Sequence, residues 1–167
     1  RALVIDDVET EQPLRVVAGH GRHVPLHCTS AGKCLLAFGL AEFPASLPQR
    51  TARTITSVEA LRAHLAEIRD RGYAVDIKLI EAGFVAAMRS ARTDVRSDMV
   101  NGMPARKNDP HTRCISAPVF GTNGASIGCI GIDAPSVRLT IDRIPEAAAF
   151  VVDAARRLSH ALGSGRS

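Results

Sequence analysis

Arg113-Cys-Ile-Ser-Ala-Pro-Val-Phe-Gly-Thr-Asn-Gly-Ala-Ser-Ile-Gly-Cys-Ile-Gly-Ile-Asp-Ala-Pro135 is the stretch that decides how the rest of the chain is read. Two runs rich in β-branched residues flank Asn123-Gly124, a dipeptide that accepts positive φ and closes a two-residue type I′ turn. With Thr122 facing Ala125, alternation of side chains sets Ile115, Ala117 and Val119 opposite Ile132, Ile130 and Gly128 on one face. Cys114 then faces Asp133, and Ser116 faces Gly131, on the other. The first face is apolar core. The second gathers a thiol, a hydroxyl and a carboxylate beside a glycine expected to leave space, the chemistry of a small polar pocket rather than of a packed core.

Composition sets the frame around this hairpin. With 167 residues, 46% of them hydrophobic and 23% charged, the chain fits one globular domain with a sizeable core. Its apolar runs are short and broken by glycine or charge, so none reads as a membrane span or a secretory leader. The first residue is Arg1 rather than Met, and the chain reads as a piece of a longer one. Cys28, Cys34, Cys114 and Cys129 lack the close paired spacing of zinc or redox motifs. Cys114 and Cys129 share a face but sit on different rungs, so all four are read as reduced thiols of a cytoplasmic protein. The net charge of +4, with no Trp and one Tyr, does not describe a nucleic-acid surface of clustered cations and stacking platforms.

Working outward toward the N-terminus, Ala2–Ile5 and Leu14–Ala18 read as a first antiparallel pair of strands. His20, His23, His27 and Cys28 follow, with spacing that matches no defended metal-ligand pattern; a loop carrying structural or solvated histidines is the simpler reading. Thr29 to Gly39 reads as a short helix capped by Thr29 or Ser30, with Cys34, Leu35 and Phe38 on its buried face. Thr56-Ser-Val-Glu59 has capping-box spacing and opens a helix with Val58, Leu61, Leu65 and Ile68 as its apolar stripe and Gly72 as its stop. Tyr73–Ile80 reads as a strand, and Phe84–Thr112 as a long excursion of mixed charge. Beyond the hairpin, Ile144, Ala148, Val151, Ala155, Leu158 and Leu162 form the stripe of a last helix, and residues 164–167 a frayed tail. Gly19-His-Gly21 lacks the strand-to-helix setting of a nucleotide loop, so no cofactor and no metal is expected.

Two further positions face the polar side of the hairpin in this reading. The amides at the start of the Ser30 helix, near Ala31 and Gly32, carry partial positive charge, and Gly32 would let an anion approach the backbone. An ordinary helix whose amides are capped by Thr29 and Ser30 explains the same residues. Asp76 alternates on its strand so that its side chain reaches the pocket, although an edge-strand charge is the commoner meaning of such a residue.

Four motifs in order resemble a known family: Pro25-Leu-His-Cys-Thr-Ser-Ala-Gly-Lys-Cys-Leu-Leu-Ala-Phe38, Arg71-Gly-Tyr-Ala-Val-Asp76, Arg113-Cys-Ile-Ser-Ala-Pro-Val-Phe120 and Ala134-Pro-Ser-Val-Arg-Leu-Thr140. Together they look like the C-terminal effector-binding domain of the isocitrate lyase regulator (IclR) family of bacterial transcription factors. The resemblance implies an α+β, GAF-like (profilin-like) domain over residues 1–163, a curved antiparallel sheet flanked by helices, preceded in the family by a winged helix-turn-helix domain not contained in this chain. It implies dimers or tetramers, DNA contact only through that other domain, no membrane, and a pocket for small metabolites, often carboxylic acids. Carried over by position, the pocket is lined by Ala31, Gly32, Asp76, Cys114, Gly131 and Asp133, with Ser116 added by the hairpin register.

The chain departs from that pattern in two places. Gly131 and Asp133 stand where family members often carry serines, and a second carboxylate near Asp76 disfavours a simple carboxylate ligand unless one acid is protonated or the ligand brings hydroxyl, amine or metal donors. Phe84–Thr112 is longer than the usual connection and reads as an insertion. A cysteine enzyme built on Cys114 is the rival from another class, but Asp133 opposite the thiol raises its pKa, the wrong direction for a nucleophile. A pure oligomerisation module without a working pocket is the third reading.

Overall fold

The computed structural model describes residues 1–8, 11, 16, 20–76, 99–100, 103–104 and 112–165. In chain order these form β1 (Ala2–Leu3), β2 (His23–Val24), α1 (Ser30–Ala37), α2 (Val58–Arg71), β3 (Ala74–Asp76), β4 (Met99–Val100), β5 (Met103–Pro104), β6 (Thr112–Phe120), β7 (Ser126–Pro135), a 3₁₀ turn (Ile141–Arg143) and α3 (Ile144–Ala161). Among the described residues the main sheet is antiparallel with order β3-β6-β7, while β1–β2 and β4–β5 are two separate short pairs. Helices lie on both faces of the main sheet, α3 on one and α1 backed by α2 on the other. This is the expected α+β architecture.

The hairpin has the expected register for an unexpected reason. Gly121 and Ala125 are bonded at 2.9 Å, and the Gly124 amide donates to the Gly121 carbonyl at 3.0 Å. The loop is therefore the three residues Thr122-Asn123-Gly124, with Gly124 in the left-handed region at φ 70, rather than a two-residue turn with Thr122 facing Ala125. The Asn123 side chain accepts the Ala125 amide at 3.0 Å, the Asx contact that favours this longer loop. Phe120 consequently pairs with Ser126, one residue out of step. A bulge at Ile127 adds a residue to β7 and cancels the slip, so from Val119 opposite Gly128 outward the pairing is as expected.

One face of this ribbon is the apolar core. Ile115, Ala117 and Val119 are buried against Ile144, Ala148, Val151 and Ala155 of α3, with Leu139 closing the end. Each fully buried aliphatic side chain there contributes roughly 1.5–3 kcal/mol. The expected stripe of α3 fails in its last turns: Leu158 and Leu162 are exposed, and Ser159 is buried in their place. Ser159 Oγ accepts the Phe120 amide at 2.9 Å and donates to the Ala155 carbonyl at 2.7 Å. The irregular end of the sheet presents a backbone donor to α3 there, so a hydroxyl fits where a leucine would leave that donor to desolvation. The tail also differs from expectation at its first residue, since Ser164 is buried and its amide donates to the Ser159 carbonyl at 2.9 Å.

On the other face, α2 begins one residue later than its capping-box spacing implied. Ser57 is the cap, accepting the Ala60 amide at 3.2 Å and donating to Glu59 at 3.0 Å. Val58 is consequently exposed, while Leu61, Leu65 and Ile68 are buried as the stripe required. Gly72, at φ 83, ends the helix in the left-handed cap that lets the chain turn directly into β3. β1 pairs with β2; apart from Val16, the Leu14–Ala18 stretch expected to pair with it lies outside the described residues. So do 77–80 of the expected Tyr73–Ile80 strand and, except for β4, β5 and Thr112, the 84–112 excursion.

Candidate functional site

β3 and β6 pair Asp76 with Cys114, and β6 and β7 pair Cys114 with Asp133. A carboxylate, a thiol and a second carboxylate thus occupy one rung across three strands. Because neighbours alternate, Val75, Ile115 and Ile132 of the adjacent rung turn toward α3, while Asp76, Cys114 and Asp133 turn toward α1. One rung further along, Ala74 pairs with Ser116 and Ser116 with Gly131. Five of the seven expected site residues, Asp76, Cys114, Ser116, Gly131 and Asp133, therefore occupy rungs that face the first turn of α1, which itself contains the other two, Ala31 and Gly32.

The α1 side of the rung is filled by the protein's own groups. Lys33, 1% exposed, inserts its ammonium against Asp76, also 1% exposed, with Nζ 2.5 Å from Oδ1. Ser30 and Ser116 share a hydroxyl–hydroxyl hydrogen bond of 2.9 Å. The Ser30 backbone lies close enough to Asp76 to favour its ionised form. Thr29 caps the helix by accepting the Gly32 amide at 3.0 Å, and its hydroxyl donates to the Pro25 carbonyl at 2.6 Å. The positive end of α1 is thus met by a resident carboxylate and a capping hydroxyl, which is the arrangement a helix terminus favours.

Both glycines act differently from the expectation that they leave room for a ligand. A Cβ on Gly32 would lie 2.4 Å from the Leu26 Cα and 2.5 Å from the Pro25 carbonyl oxygen, so its missing side chain admits the preceding loop. A Cβ on Gly131 would lie 2.5 Å from the Ile115 carbonyl oxygen and 2.8 Å from Ser116 Oγ. Gly131 lets β7 approach β6 closely; the space is occupied by backbone and hydroxyl. The Ala31 carbonyl is turned to β7, where it accepts the Cys129 thiol at 3.9 Å.

Burial dominates the electrostatics. It pushes the Asp76 carboxyl above its ordinary value, with the Lys33 charge and the Ser30 amide pulling against it. It also pushes Asp133 up, opposed by a hydrogen bond from Cys114. Burial and then Asp133 and Asp76 hold the Cys114 thiol well above the usual range, so it donates a hydrogen bond and is a poor nucleophile. His64 of α2 lies close enough to feel Lys33, and burial followed by that charge lowers its pKa.

Lys33 is the member of this cluster that the sequence reading missed. The available signal was a lone cation inside Ser30-Ala-Gly-Lys-Cys-Leu-Leu-Ala37, a helix otherwise without charge. Such a residue is either solvated or paired, and a helix buried between a sheet and another helix leaves only pairing. A groove of about 320 Å³ lies elsewhere, on the α3 side of the sheet, between Ile130 and Ile132 of β7 and Arg143, Glu146, Ala147 and Phe150. Among the described residues no group of three or more His, Cys, Asp or Glu is arranged to hold a metal ion, and no helix is long and apolar enough to cross a membrane.

This geometry can be set beside known proteins. The family model for the C-terminal region of the bacterial transcriptional regulator IclR matches residues 1–102 and 102–160. The probable transcriptional regulator SauR of Cupriavidus necator is 34% identical over 146 residues, 84% of this chain and 47% of that protein. The transcriptional repressor AllR of Escherichia coli K12 is 30% identical over 97% of this chain and 52% of its own length, so the chain spans about half of these relatives. Among solved structures, the C-terminal domain of the E. coli regulator KdgR superposes with a TM-score of 0.60 at 30% identity, covering 86% of this chain and 74% of that one. Thermotoga maritima IclR superposes with a TM-score of 0.69 at 29% identity, covering 95% of this chain and 55% of that one. The chain belongs to the family of IclR-type bacterial transcriptional regulators, of which it is the C-terminal domain.

Proposed function

We propose that this domain senses a small organic metabolite at the Asp76–Cys114–Asp133 rung and, within a homo-oligomer, passes the bound state to a winged helix-turn-helix domain that contacts DNA in the cytoplasm. The observation that carries the reading is the polar cluster itself. Two carboxyls, a thiol, two serine hydroxyls and one lysine are gathered between α1 and the sheet, although apolar packing there would be more stabilising. A buried arrangement of that kind is held for recognition or for switching between two states. The low nucleophilicity of Cys114 and the regulator relatives favour binding over catalysis.

Charge decides the kind of ligand. Lys33 is already engaged by Asp76, and Asp133 adds a further carboxyl at the half-buried rim of the rung. A ligand entering there succeeds if it presents hydrogen-bond donors to Asp133, so a hydroxylated or amino-bearing organic acid fits better than a bare carboxylate. Its coupling to DNA binding needs only a different affinity for two arrangements of α1 against the sheet.

Isothermal calorimetry with a panel of organic acids and their hydroxyl and amino derivatives tests this on the wild type and on Asp133→Ser. Saturable binding that weakens or changes its ligand preference in the variant supports the site. Binding indifferent to substitution at Asp76, Cys114 and Asp133 places the ligand elsewhere and overturns it.

A further inference from the structure

Cys34 and Cys129 play no part in the site described above, yet they meet across it. Cys34, fully buried on α1, and Cys129, half-buried on β7, belong to one hydrophobic cluster. Their thiols are close enough to shift each other's ionisation, Cys129 pushing the Cys34 thiol up and Cys34 drawing the Cys129 thiol down. The Cys129 thiol also reaches the Ala31 carbonyl at 3.9 Å, and Ala31 and Cys34, three residues apart, share a helix face. Cys129 therefore sits over one turn of α1, its sulfur beside that of Cys34. The residue preceding Cys34 is Lys33, whose ammonium holds Asp76.

We propose that Cys34 and Cys129 are a redox pair that closes to a disulfide under peroxide and fastens α1 to β7. Cys129 is the attacking residue: it is the more accessible of the two, and the neighbouring Cys34 thiol favours its thiolate. Its sulfur attacks one peroxide oxygen, forming an S–O bond as the O–O bond breaks; with one proton taken up, water leaves and a sulfenic acid remains. The Cys34 sulfur then attacks the sulfenic sulfur, the S–S bond forms, the S–O bond breaks, and hydroxide departs with the Cys34 proton as a second water. The two sulfurs together lose two electrons, and the peroxide gains them. A small dithiol reverses the change by exchange. The other thiols are poorly suited: Cys114 is bonded to Asp133 and held protonated, and Cys28 is 2% exposed.

The bridge would join the helix that presents Ser30 and Lys33 to the strand that presents Asp133. Any regulatory consequence rests on the ligand-sensing reading, but the disulfide does not. The reduced full chain is treated with hydrogen peroxide, free thiols are blocked with N-ethylmaleimide, and the protein is weighed and peptide-mapped. The expected product has lost two hydrogens and two alkylation sites, yields one linked peptide pair containing Cys34 and Cys129, and returns to the reduced form with dithiothreitol. Cys28→Ser and Cys114→Ser retain the product, whereas Cys129→Ser abolishes it. Oxidised wild type unfolds at a higher temperature than reduced wild type, because the bridge restricts the unfolded chain, and oxidised Cys129→Ser shows no such rise. Recovery of Cys34 and Cys129 as free alkylated thiols, or linkage of a different pair, overturns the proposal without bearing on ligand binding at the rung.

Discussion

On one side of the β6–β7 ribbon, Ile115, Ala117 and Val119 lie against α3; on the other, Cys114 and Ser116 meet Lys33 and Ser30 of α1. Both faces are buried, and they are written in alternate residues of the same strands. The α3 face is held by non-directional burial, in which each side chain stands nearly alone. The α1 face is held by partnered polar groups, in which removing one member strands another in a medium of low dielectric. Substitutions on the first face should therefore act singly, and those on the second in pairs.

The largest effect is expected at the buried ion pair. Lys33→Met leaves Asp76 buried without its cation and should destabilise the domain by about 3–5 kcal/mol in chemical denaturation, whereas Lys33→Met with Asp76→Leu should recover most of that loss. Equal losses in the single and double variants would show that the two faces do not differ in this way. On the apolar face, Ile115→Ala should cost about 2–5 kcal/mol, additive with a distant core substitution such as Leu65→Ala. At the boundary between the two kinds of packing, Ser159→Ala removes the acceptor of the Phe120 amide and should cost about 1–3 kcal/mol, more than an exposed serine would.

The smallest effect sharpens the comparison through pH. Burial holds the Asp133 carboxyl above its ordinary value of 3.8, so its ionised form is penalised in the folded protein. The stability associated with its protonation is complete below that value and is lost as pH rises through the raised folded pKa. Asp133→Asn, which cannot ionise, should match wild type near the acid end and gain on it toward neutrality, read as melting temperature against pH. A difference that narrows with rising pH would mean that Asp133 is held by a cation instead.

Much of this was legible in the chain because it depends on local rules. Alternation of period two placed Ile115 and Cys114 on opposite faces, the apolar stripe and Gly72 stop of α2 were written locally although its cap fell on Ser57 rather than Thr56, and the four motifs in order carried the family. The turn was misjudged, since Asn123-Gly124 serves a two-residue loop and a three-residue loop equally well, and only the bulge at Ile127 restores the pairing. Ser159 was missed because a helical stripe assumes an apolar partner, whereas this one ends against a backbone amide.

By itself, then, the sequence determined the elements, the faces of the central ribbon and the membership of a regulator family, all consequences of periodicity and of short-range chemistry. Only the tertiary structure decided what fills the polar side: that Lys33 is turned inward onto Asp76, that Gly32 and Gly131 admit backbone rather than ligand, and that Cys129 finds Cys34 rather than Cys114. These depend on which residues distant in the chain come within a few ångströms of one another. That distance is set by how helices seat on a sheet, and no local pattern encodes it.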